Sequence, residues 1–359
     1  MKTKPMMTLV CLVSFFALSM QTVFAQSTGE AAEIVAEATK GKYEGAANAT
    51  HPAWFKESFL DFGEDIAEAS EAGKRLVLYF WQPGCPYCNR LWEHNMAVDG
   101  IDESFKSRFD VVAINMWGDQ EVVTVGGKQF TEKQLARALD VDFTPTLLFY
   151  DENRKTALRL NGYLPPERFK LALDYAAGDH PVGQSFNAYV LAKSVAGGKL
   201  ARSEDFFKPA AETLTDRNKV PGNRPLAVIF ETTACSSCEN FHDVTLKHRD
   251  TRALLASMDV VQLDARSEQP ITLPDGQTLT PAKWAEKLKL SYYPSLVFFN
   301  EAGEQVMLMN AYFRNFHTQS VFAYVLEKGY LQEPSFQRYI SARGEKLNEQ
   351  GIDVDIWEE

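Results

Sequence analysis

Four cysteines stand in two couples of identical spacing, Cys85-Pro86-Tyr87-Cys88 and Cys235-Ser236-Ser237-Cys238. Oxidising either couple closes a very small loop, which removes little entropy from the unfolded chain and makes a poor staple. The spacing suits thiol:disulfide exchange better. One sulfur must attack a foreign disulfide as the thiolate, while a second waits within bonding reach to resolve the mixed intermediate. Each couple follows an apolar run and a short turn and opens a helix-compatible stretch. At a helix N-terminus, unpaired N–H groups and the helix dipole favour an anion. Cys85 and Cys235 are thus the candidate nucleophiles, and Cys88 and Cys238 the resolving thiols. A joint four-cysteine zinc site is the competing chemistry, disfavoured because a whole domain separates the couples. Haem attachment needs a histidine after the second cysteine, where Asn89 and Glu239 stand. No metal and no cofactor is therefore expected.

The elements that must hold these sulfurs follow from pattern. Leu76 to Trp81 is an unbroken apolar run that fits a central buried strand, preceded by a helix-compatible segment from Phe55 to Ala72. After Pro83-Gly84 a helix should begin near Cys85, with Cys88, Leu91 and Trp92 on its inward stripe. Phe109 to Asn115 reads as a second buried strand, and Gly126-Gly127 as a hairpin or loop. Thr131-Glu132-Lys133-Gln134 has the pattern of a capping box opening a helix through Leu139. Thr146 to Tyr150 and Thr156 to Leu160 read as a hairpin about Asp151-Glu152-Asn153, closed by a helix from Pro165 to Ala176.

The same order occurs twice, with landmarks recurring at offsets of 149 to 152 residues. Trp54-Phe55-Lys56 returns as Phe206-Phe207-Lys208, Leu76 to Trp81 as Leu226 to Glu231, and Ser185-Phe186-x-x-Tyr189 as Ser335-Phe336-x-x-Tyr339. In the second copy, strands are expected at Ala227 to Phe230, Val260 to Leu263, Ser295 to Phe299 and Gln305 to Met309. Helices are expected from about Cys235, Pro281 and Thr318. The alternation implies an α/β chain of two tandem domains, each a mixed central sheet flanked by helices with a C-terminal helical extension. The expected division is 1–25 for an export signal, 26–50 for a flexible segment, 51–200 for the first domain and 201–359 for the second. The connection from Gly197-Gly198 to Ser203 is expected at the boundary, the alternative being a loop inside the first unit's extension.

In each copy a proline enters an apolar strand about sixty residues after the cysteines: Pro145 before Thr146-Leu147-Leu148, and Pro294 before Ser295-Leu296-Val297. Proline removes a ladder donor and is rare there, and a cis peptide at that corner would account for it. The order Cys-x-x-Cys, long connection, Thr-Pro and hairpin resembles the thioredoxin superfamily. The first copy is most similar to the periplasmic, SoxW-type proteins associated with sulfur oxidation, through His51-Pro52-Ala53-Trp54-Phe55, Gly84 to Cys88, Gly127 to Thr131 and Asn161-Gly162-Tyr163. This resemblance implies that Thr144-Pro145 and Tyr293-Pro294 lie beside the disulfides and offer backbone to an extended substrate. It also implies a redox active centre acting on protein or small-molecule thiols and disulfides. A further redox partner, compatible with a membrane-bound protein, is implied but not identified. Where cytosolic thioredoxins carry a buried acid, Tyr79 and Ile229 stand, so proton handling would run through water or, in the second copy, through Glu231.

Other readings are plainer. Arg90, Glu93, His94, Glu239 and His242 are expected on a solvated face. Met307 and Met309 alternate with Val306 and Leu308, so one pair is core. Trp81 fits a shield over the disulfide and an ordinary core residue equally. With 45% apolar and 24% charged residues the chain can fill ordinary cores, and its net charge of −11 disfavours nucleic-acid partners. Lys2 and Lys4, the apolar run Met6 to Met20, and Val23-Phe24-Ala25 match a cleavable signal. Export to the periplasm is expected, with Cys11 discarded. The leading function is thiol:disulfide exchange through both couples. The alternative is a client-binding module with only the first domain redox active, supported by the divergence of the second.

Overall fold

The computed structural model describes residues 40–48, 50–194, 200 and 203–357. The expected signal and most of the 197–203 connection lie outside the described residues. Strand β1 (Tyr43–Glu44) comes first, within the segment expected to be flexible. Helix α1 (Phe62–Glu71) starts at Asp61, whose carboxylate accepts from the N–H groups of Gly63 and Glu64. It begins later than the pattern from Phe55 implied. The Lys56 N–H is engaged by the Val111 carbonyl and the Leu60 N–H by Ser58 Oγ, so this stretch extends along the sheet edge instead.

Strand β2 (Arg75–Trp81) leads into α2 (Pro86–Arg90), which continues through one π-helical turn at Leu91–Asn95. Helix α3 (Ile101–Arg108), β3 (Phe109–Asn115) and the hairpin β4 (Glu121–Val123) with β5 (Gln129–Thr131) follow. Helix α4 (Glu132–Ala138) opens on the capping box read from sequence, with Thr131 and Gln134 bonding each other's backbone. Strands β6 (Thr146–Tyr150) and β7 (Thr156–Asn161) precede α5 (Pro166–Ala176) and the extension α6 (Phe186–Lys193). The sheet runs β3-β2-β6-β7, with β2 and β3 parallel and the other pairs antiparallel. Val77 and Tyr79 enter the core on one face, while Leu76, Leu78 and Phe80 enter that on the other, so β2 has no polar side to show.

The second half repeats this plan. A short α7 (Ala210–Thr213) stands where the first half has α1. Then come β8 (Leu226–Glu231), α8 (Ser236–Asn240) with its π turn at Phe241–Thr245, α9 (Arg249–Leu255) and β9 (Asp259–Asp264). The hairpin β10 (Ile271–Thr272) with β11 (Thr278–Leu279), α10 (Pro281–Lys287), β12 (Ser295–Phe299) and β13 (Gln305–Met309) follow. Helices α11 (Asn315–Leu326), α12 (Gly329–Gln332) and α13 (Phe336–Glu349) lead to β14 (Val354–Asp355). The sheet order is β13-β12-β8-β9. Met307 and Met309 are the buried pair of β13, packed in one core.

The halves do not keep separate cores. Tyr292 and Ala311 belong to the apolar cluster around Cys85 and Cys88, and Phe143 belongs to a cluster of the second half. The hairpin ends Asn161-Gly162-Tyr163 and Asn310-Ala311-Tyr312 are equivalent in the repeat, and they meet: the Tyr312 N–H donates to the Tyr163 carbonyl at 3.0 Å. Gly162, at φ +107°, lets this happen, since a Cβ there would lie 2.7 Å from the Ala311 Cβ. Strand β1 pairs in parallel with β14, tying residues 43–44 to the far end of the chain.

Phe143 sits between Phe313 and Phe336, with ring centroids at 4.8 and 5.3 Å. Removing a buried phenylalanine ring costs about 3–5 kcal/mol. Phe143→Ala is therefore expected to lower the melting temperature of both halves together, in a single calorimetric transition. A second half that melts at its original temperature would show that the shared core does not couple them.

Candidate active site

Each cysteine couple is a disulfide across the first turn of a helix. The first sulfur acts as the helix N-cap: the Cys88 N–H points to Cys85 Sγ at 3.1 Å, and the Cys238 N–H to Cys235 Sγ at 3.1 Å. These are orphan donors of a helix start, placed to stabilise a sulfur anion once the bond is reduced. The turn before each helix needs a positive φ, which Gly84 takes at 72° and Ala234 at 53°. Alanine is held there against its steric preference.

Both corners after the long connection are cis, Thr144–Pro145 and Tyr293–Pro294. In the second half the carbonyl oxygen of Tyr293 lies 3.7 Å from Cys235 Sγ and accepts from Ser237 Oγ at 2.6 Å. Ser237 also approaches Cys235 Sγ at 3.4 Å, a contact that its position between the cysteines did not announce. The Tyr293 side chain leaves this site altogether. Its hydroxyl donates to Asn187 Oδ1 on α6 at 2.6 Å, and burial pushes its pKa up.

Exposure runs against sequence divergence. Cys85, in the half nearer the family pattern, is 1% exposed, whereas Cys235 is partly exposed. Residues of the second half cover Tyr87, between the cysteines of the first couple. The Tyr87 ring packs on Phe313, His317 and Trp357 with centroids at 6.0, 4.8 and 5.1 Å, and its hydroxyl accepts from the Arg314 N–H at 2.9 Å. Gln337 of α13 donates to the Asp142 carbonyl at 2.7 Å and accepts from Gln82 at 2.6 Å, holding α13 over the approach to Thr144, itself buried. Asn48 accepts from the Gly84 N–H at 2.9 Å.

Several side chains depart from the sequence reading. Arg90 is not on a solvated face; it lies over the rings of Tyr163 and Trp357, at 5.8 and 5.3 Å. Its neighbours Glu93 and His94 are exposed. His242, also expected outside, is 2% exposed and sits between Glu204 and Glu231, with each nitrogen 2.9 Å from a carboxylate oxygen. It follows Cys238 by one helical turn, so periodicity places it inward just as it does Trp92; only its polarity argued otherwise. Burial lowers its pKa, but hydrogen bonds and charges from Glu231 and Glu204 outweigh that and raise it. The other oxygen of Glu231 accepts from Gln262 at 2.6 Å, so both oxygens of this candidate proton relay have partners. In the first half the same places hold Trp81 and Trp92. Trp81 packs edge-on against His51 at 4.4 Å, and Trp92 packs against the buried Tyr79 at 5.0 Å.

Comparison with known proteins comes to the same architecture. A model of the thioredoxin-like domain matches residues 62–177 and again 216–326. A thioredoxin-fold protein from Helicobacter pylori is similar at 12% identity and a TM-score of 0.33, over 41% of this chain and 98% of that one. A thioredoxin from Thermus thermophilus is similar at 23% identity and a TM-score of 0.27, over 33% and 85%. A structure described as DsbH oxidoreductase is similar at 18% identity and a TM-score of 0.22, over 33% and 84%. No curated protein matches the chain.

The cover over Cys85 should loosen in acid. Desolvation drives the pKa of His317 down to about 3, and its Nδ1 has no partner. Released from Tyr87 the ring would titrate near its ordinary value of about 6.5. A lowered folded value means that docking is at full strength above the ordinary pKa and weakens as the pH falls below it. Reduction of Cys85–Cys88 by a phosphine, followed by mass spectrometry, is expected to accelerate relative to Cys235–Cys238 between about pH 7.5 and about pH 5. His317→Phe should flatten that trend; an unchanged trend in this variant would assign the acid response elsewhere.

Proposed function

We propose, from the premise that this chain belongs to the thioredoxin-like domain family, that it is a thiol:disulfide oxidoreductase in which both Cys-x-x-Cys couples exchange disulfides. Cys235 and Cys85 act as nucleophiles and Cys238 and Cys88 resolve. The observation that carries the reading is the helix N–H aimed at the first sulfur of each couple at 3.1 Å, with a cis-proline corner in each half and, in the second, the carbonyl of that corner 3.7 Å from Cys235 Sγ. A neutral donor so placed favours the thiolate while leaving the sulfur nucleophilic.

The two couples have different access. The partial exposure of Cys235 suits it to meet clients first, with the Tyr293 carbonyl as the backbone acceptor beside it. Cys85 takes part when its cover moves, so the alternative with only the first domain redox active is the less favoured one. The clients we envisage are exported proteins or small thiols and disulfides, re-reduced or re-oxidised by a further redox partner. Export to the periplasm is supported by the order Lys2, Lys4, apolar run and Ala25. The division into a first domain at 51–200 and a second at 201–359 is likewise our reading of the repeat.

Insulin reduction by the full chain with a dithiol reductant tests this. Loss of the attacking thiolate in Cys235→Ser is expected to lower the rate about tenfold or more. Cys85→Ser should have the smaller effect, and the double variant should be inactive. Full activity in the double variant would exclude exchange at these sulfurs.

A further inference from the structure

Beside the second couple lies a cleft of about 470 Å³ whose walls come from both halves of the chain. Ser236, Ser237 and Asn240 line one side, next to Cys235, and Arg168 of α5 and Lys193 of α6 line the other. Arg168 is half-buried, its Nη1 is enclosed without a hydrogen-bond partner, and among the described residues no carboxylate pairs with it. The groups that act on it electrostatically are the hydroxyls of Tyr292 and Tyr293, and its burial is the main influence on its ionisation. Lys193 is exposed, lies 4.7 Å over the Tyr189 ring, and also has no carboxylate partner among the described residues. Glu167, the one acid of the lining, is exposed at the rim.

Enclosing part of a guanidinium without an anion is unfavourable, because the desolvation is not offset by a partner. The geometry therefore has room for an anion that the chain does not supply. A fork of N–H donors suits a carboxylate in particular. The volume is that of a small-molecule site, which spans roughly 300–1,000 Å³. We propose that the Cys235–Cys238 site takes small disulfides and thiols that carry carboxylates, and that Arg168, assisted by Lys193, recognises the carboxylate from across the cleft. This deepens the exchange reading above and rests on it.

The chemistry balances as an ordinary two-electron exchange. A dithiol reductant first converts the couple to thiols. The Cys235 thiolate then attacks one sulfur of the small disulfide, forming the mixed disulfide and expelling the first small thiolate. Cys238 gives its proton to solvent and attacks Cys235 Sγ, which restores the Cys235–Cys238 bond and expels the second small thiolate. Both leaving thiolates take protons from solvent. During resolution the bound half still presents its carboxylate to Arg168, so Arg168 is a positioning and specificity residue and not a proton carrier.

The test uses full-length chain carrying Cys85→Ser and Cys88→Ser, reduced beforehand, in single-turnover stopped flow. Its two oxidants are glutathione disulfide, which is anionic, and 2-hydroxyethyl disulfide, which is neutral. The readout is the ratio of their second-order rate constants. Loss of the charge-assisted fork in Arg168→Gln is expected to lower that ratio about tenfold. Arg168→Lys, which keeps the charge, should lower it less, and Lys193→Gln should lower it slightly. Added salt should depress the ratio in the parent and hardly at all in Arg168→Gln. Should Arg168→Gln fail to fold, Arg168→Lys and the salt dependence of the parent carry the decision. A ratio indifferent to both Arg168 and salt, with both oxidants still reduced, would overturn this inference alone. Failure to reduce either oxidant would overturn the exchange reading with it.

Discussion

The N–H of Tyr312 donates to the carbonyl of Tyr163, and around that bond two equivalent hairpin ends lie against each other. Each end follows the hairpin partner of a cis-proline strand; in the first half the tie is direct, with the Gly162 N–H donating to the Pro145 carbonyl at 2.7 Å. Docking the hairpins thus brings both corners to one shared interface. The close approach depends on Gly162, since any side chain there would meet Ala311. Much of the rest is consequence. Phe143 is drawn into the second half's core, Tyr292 and Ala311 into the first's, and the tail returns to pair with residues 43–44.

Because the docked faces are related by repetition but not by identical residues, the two disulfides have different surroundings. Phe313, His317 and Trp357 close over Tyr87, and Cys85 beside it is buried. On the other side Tyr293 turns its ring into the first half and leaves its carbonyl beside Cys235, at the edge of an open cleft. One duplication thereby yields a covered site and an accessible one.

The same divergence continues beneath the active-site helices. Where the first half packs Trp81 and Trp92 among aromatic rings, the second holds buried Glu231 and His242 in a hydrogen-bonded triad with the half-buried Glu204. Edge-on aromatic pairs add about 0.5–1.5 kcal/mol beyond their burial. A buried polar network is costly to break, because removing one member leaves its partner buried and unsatisfied. The second half has exchanged tolerant packing for a directional network that fixes how its helix meets the sheet.

The number of copies, the order of the main sheet strands, the cysteines at helix starts and the cis corners were legible in the sequence alone, whereas helices α3 and α9 were not. They rest on local physics: strand and helix periods, capping residues such as Thr131 and Gln134, and prolines that a ladder can accept only at a corner. The strands Phe109–Asn115, Thr146–Tyr150, Ser295–Phe299 and Gln305–Met309 have the bounds their patterns gave. What only the tertiary structure decided is which surfaces face each other. Periodicity says that a face is buried but not against what, so Arg90 and His242 read as solvated and Arg168 and His317 drew no notice. Their environments are made by residues tens to more than two hundred positions away, and a contact of that range leaves no trace in the pattern around either partner.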